Sequence, residues 1–250
     1  MRLTGWPYPD ASLLTPSLQV PAGFGTKRVF IDAGHGAAHN TGPPSVFCER
    51  EEDFDLRVAN DLGARLRRMG AFEVRLSRNG LHRPSYQARV KAALAWRADV
   101  ILSIHFDVRG TAQPWAPTPG SLCYRNDGDV GFAVLYADSA EPKLVQRRSL
   151  VARSLSLRMA AAGFRAYDGS NYMGIYDADP IVAGAYIDRH PPGQRIFLLN
   201  HTPVPTVIIE THHGGSLPEA SRWREESTLR AFAAAVAAGL ADALATPDGG

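Results

Sequence analysis

Two histidines and a glutamate end three apolar runs in this chain, and their types suit metal-assisted hydrolysis. His35 stands between two glycines in "RVFIDAGHGAAH", His105 closes "DVILSIH", and Glu210 closes "PTVIIE". One histidine at a strand end is most often a structural hydrogen-bonding residue. Three competent side chains at three such ends point to a shared place, because open α/β sheets bind ligands outside the carboxyl ends of their strands. Catalytic zinc commonly takes two histidines and a carboxylate and keeps a fourth position for water. The carboxylate is available among Glu49, Glu51, Glu52 and Asp53, just ahead of a helical pattern. The competing role for these acids is to complement the helix dipole.

The hydrophobic pattern supplies the elements that must position these groups. Residues 29–33 read as a short strand, and residues 52–69 as a helix with Phe54, Val58, Leu62, Leu66 and Met69 on one face, stopped by Gly70. Strands are expected at 73–76, 99–107, 130–136, 195–199 and 205–213, and helices at 86–96, 143–162 and 219–244. Strands alternating with helices predict an α/β fold: a three-layer αβα domain around a mostly parallel sheet. Residues 1–26, rich in Pro and Gly, read as an extended arm ahead of one domain over 27–245. Residues 109–129 and 167–194 resist assignment, and loops of that length in a compact domain are usually functional or disordered.

Bulk properties narrow the function further. A net charge of +2 over 250 residues gives no electrostatic case for nucleic acid or an anionic membrane. No uninterrupted apolar run approaches the roughly 20 residues of a bilayer span, and no secretory signal is visible. Cys48 and Cys123 permit one disulfide without requiring it, and neither lies in a CxxC pair. Cys48 is near enough in sequence to Glu51 to serve as a fourth metal ligand, but a catalytic site keeps that position open.

Four segments, "VFIDAGHGA", "EEDFDLRVANDLGARLRRMGAFEVRLSR", "YQARVKAALAWRADVILSIHFD" and "PTVIIE", resemble the zinc-dependent N-acetylmuramoyl-L-alanine amidases of the Amidase_3 type. The resemblance implies cleavage of the amide between the lactyl group of N-acetylmuramic acid and L-alanine in peptidoglycan. It also implies zinc ligands at His35, Glu51 and His105, and a catalytic glutamate at Glu210. Glu51 fits the family register through Phe54, Leu56 and Ala59, which Glu49 and Glu52 miss.

The chain departs from that family at several points. Phe106 and Asp107 follow the second histidine where a small residue and Asn are usual, and Asn200 stands where Arg is common. "THHGGSLPE" replaces an aromatic and a Ser-Asn pair. Strand alternation would put His212 on the face of Glu210, which makes it a candidate substrate contact with His213 beside it; Asn200 and His201, just before Pro203, are candidate contacts at the rim. Other readings are a zinc amidohydrolase or peptidase acting on small muropeptides or acyl-amino acids, and an inactive peptidoglycan-binding module. The expected partner is peptidoglycan or a muropeptide, with a protein activator left open and the periplasm or cell envelope as location.

Overall fold

The computed structural model describes residues 5–9, 11–80 and 82–245. Alternation along the apolar strands decides which helices cover which face. In β1 (Lys27–Ala33), Val29, Ile31 and Ala33 face the same side as Val100, Leu102 and Ile104 of β3 (Val100–Asp107) and Val207 and Ile209 of β9 (Thr206–His213). That side is covered by α1 (Glu51–Arg68), α3 (Pro142–Ala161) and α6 (Glu226–Ala245). Phe30 and Ile101 face the other side, under α2 (Tyr86–Ala95) and α4 (Phe197–Asn200). Ile208 packs there beneath Tyr167, Tyr172 and Tyr186.

The seven-stranded sheet includes β2 (Phe72–Leu76), β6 (Ala133–Tyr136), β7 (Tyr176–Ala178) and β8 (Ala185–Asp188), in the order β2-β1-β3-β9-β6-β8-β7. β2, β1, β3 and β9 run parallel; β6 reverses against β9, and β7 against β8. The chain leaves β1 for β2 on one side and returns to β3 on the other, so the switch point of the topology falls between β1 and β3. This is the single three-layer domain with a mostly parallel sheet that the pattern predicts.

Four local expectations change. Residues 195–199 are not a strand: α4 forms because Asn200 Nδ2 and Thr202 Oγ1 donate to the carbonyls of Ile196 and Leu198, closing a helical turn. The predicted last helix is two, α5 (Leu217–Arg222) and α6, because the chain turns at 223–225 to bury Trp223 between Phe54, Phe164 and Phe232. β7 and β8 emerge from one unassigned stretch, and a hairpin of β4 (Gln113–Trp115) and β5 (Cys123–Arg125) from the other. Finally, α6 has the length and apolar composition of a membrane span, although polar residues interrupt its apolar run. In this fold it is a core helix. Alanine buries little area per residue, so α6 depends on close approach: a Cβ on Gly239 would lie 3.0 Å from Leu155 Cα of α3.

Within the N-terminal arm, residues 1–4 and Asp10 lie outside the described residues, and the remainder forms neither helix nor strand. Trp6 and Phe24 nevertheless join the core. Glu219, fully buried on α5, fastens the arm to the sheet. Its carboxylate accepts from the Trp6 indole at 3.1 Å, His213 N at 2.9 Å and Gly131 N at 3.1 Å. Removing an acceptor that satisfies three buried donors leaves each unpaired, so Glu219→Ala should lower unfolding free energy by about 2–4 kcal/mol. Urea denaturation measures this; a loss under about 1 kcal/mol would show that the three donors find other partners.

Candidate metal centre

The GHG turn is shaped around imidazole rings. His35 adopts φ 49° and Gly36 φ 67°, a region that non-glycine residues rarely enter. Buried Arg89 holds the turn by donating to the carbonyls of His35, Ala33 and Pro84. A Cβ on Gly34 would collide with the His105 ring and lie 2.6 Å from Ile104 O. One on Gly42 would lie 2.6 Å from Glu51 Oε2 and 2.9 Å from His35 Cδ2. Glycine at both positions lets backbone approach two rings and a carboxylate.

His35, Glu51 and His105 converge. His35 Nε2 lies 3.0 Å from Glu51 Oε2, and His105 Nδ1 lies 2.9 Å from Glu51 Oε1. Ligand atoms of a tetrahedral zinc with bonds of 2.0–2.1 Å sit about 3.3 Å apart, so the spacing suits a small cation. Asp55, one turn after Glu51 on α1, adds a fourth donor; one ligand atom from each of the four residues lies within 4.8 Å of the others. The Asp55 carboxylate is fully buried, with neither oxygen hydrogen-bonded, and lies 3.9 Å from His105 Nδ1. Burial, and then the charges of Glu51 and Glu210, push its pKa well up. A sealed carboxylate without a donor is costly unless a cation compensates it, and this fits the donor set to a metal ion.

The outer hydrogen bonds point each ring inward, as they do around metal-ligating histidines. His35 Nδ1–H donates to Asn40 Oδ1 at 2.7 Å, and Asn40 Nδ2 donates to the Tyr86 hydroxyl at 2.8 Å, leaving Nε2 for the cation. His105 Nε2–H donates to Ser103 Oγ at 3.2 Å, and Ser103 donates to Asp32 at 2.7 Å, leaving Nδ1. Burial opposes charge on His35, but the hydrogen bond and charge of Glu51 outweigh it and hold the imidazole pKa above its ordinary value.

Glu210 is paired with His105 across β3 and β9, so its side chain shares that face. Its Oε2 is sealed from solvent and has no hydrogen-bond partner. Burial, and then the charge of Asp107, push its pKa up to about 8. Asp107 accepts from Tyr172 at 2.6 Å and from Arg109 at 2.9 Å, and the Arg109 guanidinium stacks 4.0 Å from the Tyr167 ring.

The other candidates lie elsewhere. Between His105 and Asp107, β9 spends three residues where β3 spends two. That bulge turns His212 to the opposite face, where it packs against Phe54, Phe106 and Trp223, and burial drives its pKa well down. His213 accepts from Arg109 N at 3.2 Å. Asn200 bonds Asp188, Ile196 and Ser139 before β9 begins, and His201 stacks on Phe197. Thr206 to Glu210 spans about 13 Å of strand, so Asn200 lies at the opposite end of β9 from Glu210. Cys48 is bonded to Cys123 and has no thiolate to offer a metal. Sequence reasoning missed Asp55, Asn40 and Ser103; the i, i+4 spacing of Glu51 and Asp55 was the available signal for the first.

The profile of the N-acetylmuramoyl-L-alanine amidase family Amidase_3 matches residues 29–242. The amidase AmiC of Escherichia coli O6:H1 (strain CFT073) is 33% identical over 86 residues, which are 34% of this chain and 20% of that protein. The matched segment therefore spans one fifth of that curated relative. Among solved structures, the amidase Ami1 of Mycobacterium smegmatis superposes with a TM-score of 0.67 at 20% identity, covering 89% of this chain and 99% of Ami1. An N-acetylmuramoyl-L-alanine amidase of Clostridium difficile 630 gives 0.64 at 19% identity, covering 86% and 95%.

Glu210 sets a sign for pH and stability. Its folded pKa of about 8 lies above the ordinary 4.5, so the folded state holds the proton more tightly between those values. The stabilisation this gives is complete below pH 4.5 and disappears as pH rises through 8. After metal chelation, Glu210→Gln should gain thermal stability relative to wild type as pH climbs from 5 to 8. A difference in Tm that stays flat across that range would refute the assignment.

Proposed function

This chain belongs to the N-acetylmuramoyl-L-alanine amidase family Amidase_3, and from that premise we propose that it hydrolyses the amide between the lactyl group of N-acetylmuramic acid and L-alanine in peptidoglycan, with zinc as its cofactor. The observation that carries this reading is the convergence of His35, Glu51, Asp55 and His105 beside Glu210. His35, Glu51 and His105 would hold the cation, with Asp55 as a further buried donor. Zinc held there supplies Lewis acidity, lowering the pKa of water to about 7 and polarising a carbonyl.

Glu210 moves the proton. Its Oε2 has no competing donor, so it is free to take a proton from the attacking water and pass it to the departing amine. A cation held by His35, Glu51 and His105 would draw its pKa down from about 8, toward the range in which one group performs both transfers. Asp107 opposes that fall, held as a charged acceptor by Arg109 and Tyr172. Tyr172 and Tyr176 wall this face and limit access of bulk water. The reaction suits the periplasm or cell envelope, and the Cys48–Cys123 bond suits an oxidising compartment.

Dye release from labelled sacculi tests the reading. Glu210→Gln should fall at least about 100-fold in rate while keeping about one zinc per chain by elemental analysis, and His105→Ala should lose the zinc. Near-wild-type turnover in the first variant, or full zinc in the second, would refute these roles. Turnover of small soluble muropeptides with none of sacculi would favour the small-substrate hydrolase, and full metal content with neither would favour the binding module. Because Asp55 and Glu210 hold protons in the cation-free site, zinc uptake should release protons and strengthen as pH rises from 5 to 8. Calorimetry in buffers of different ionisation enthalpy reads this; uptake without proton release would contradict it.

A further inference from the structure

Tyr86, the first residue of α2, ends the hydrogen-bond chain that begins at His35, and its own hydrogen is left over. The accounting starts from a group that can only donate. Gly42 N donates to Asn40 Oδ1 at 3.4 Å, and the His35 tautomer that leaves Nε2 for a cation donates to the same oxygen. That fixes the amide with Nδ2 toward Tyr86, whose oxygen therefore accepts. The Tyr86 O–H then has no acceptor among the described residues. Other hydroxyls beside the centre are spent: Ser103 donates to Asp32 and Tyr172 to Asp107. Tyr86 is half-buried, and its ring rests against the buried Arg89 guanidinium, 4.9 Å from the ring centre, so the hydroxyl is held in a fixed place.

That place decides which part of a substrate the hydroxyl meets. The sheet runs β1, β3, β9, with His35 beyond the end of β1, His105 on β3 and Glu210 beside it on β9. Tyr86 is reached from His35 through Asn40, on the side of the ring away from Glu51. Tyr86 and Glu210 therefore flank the candidate cation site on opposite sides. In the proposed reaction Glu210 delivers a proton to the departing amine, which sets the amine side of the bond over β9. The acyl side then extends toward β1 and Tyr86, where an unspent O–H can meet an oxygen acceptor.

We propose that the Tyr86 hydroxyl contacts the substrate, donating a hydrogen bond to an oxygen on the acyl side of the amide to be cut. The identity of that amide rests on the amidase reading. The probe is N-acetylmuramoyl-L-alanyl-D-isoglutamine, titrated calorimetrically into the metal-free chain so that binding is read without turnover. Tyr86→Phe keeps the ring and should weaken binding about fivefold, the worth of one hydrogen bond between uncharged groups. L-alanyl-D-isoglutamine, which lacks the acyl side, should bind both chains alike. Zinc affinity should be unchanged, whereas a residue acting only through His35 would lower it about tenfold or more. Equal muropeptide affinity of the two chains, no binding to either, or a loss that the peptide shares overturns the contact. Dye release from sacculi by the zinc-loaded chains separates the two readings. Equal release by both chains removes the contact alone, and Tyr86-dependent binding without release by either removes the hydrolase alone.

Discussion

Arg89 is a full guanidinium buried beneath the end of β1, and the geometry of the centre depends on it. Its counter-ion is Asp32, at 3.0 Å and equally sealed from solvent. Such a pair adds little net stability over an apolar packing of the same volume, because desolvating both ions costs about what their attraction returns. What it gives is position. Arg89 donates to the carbonyls of Ala33 and His35, holding the strained turn, and its partner Asp32 accepts the hydrogen bond of Ser103, which orients His105. One buried charge pair therefore sets the direction of both imidazoles, and removing either member would strand the other in a medium that tolerates no lone charge.

The charge balance of the centre follows from this frame. Glu51, Asp55 and Glu210 crowd two imidazoles, and the buried guanidiniums nearby are already committed: Arg89 to Asp32, Arg78 to the carbonyls of Ala33, Gly34 and Glu52. Burial first, and then the surplus of negative charge, shifts Asp55 and Glu210 toward their protonated forms, while Glu51 does the same to His35 against its burial. A divalent ion held there would replace those protons and satisfy the orphaned Asp55 oxygens, so metal binding and proton release would be coupled.

Most of the scaffold was legible in sequence because it rests on local patterns. The β1, β3 and β9 runs, the α1 periodicity and the glycine after it follow from side-chain spacing, and the ends of the strands flagged His35, His105 and Glu210. Where long-range packing overrides a local signal, the reading failed. His212 looked like a companion of Glu210 because alternation has period two, but one extra residue in β9 reverses it. The α4 segment looked extended because "RIFLL" is apolar, yet i to i−4 hydrogen bonds at its end close a helical turn.

The sequence by itself determined the core strands β1, β3 and β9 and the helices α1, α2 and α3, the two histidines and the glutamate at strand ends, and the acidic group that offers a third candidate ligand. Only the tertiary structure decided that Glu51 lies between the two rings, that Asp55 joins them without a partner, that Asn200 is taken up by Asp188 at the far end of the strands, and that Cys48 is spent on Cys123. The reason is physical. Periodicity reports which side of an element is buried, whereas the distance between two side chains on different elements depends on turns, bulges and buried charge pairs whose partners are far apart in sequence.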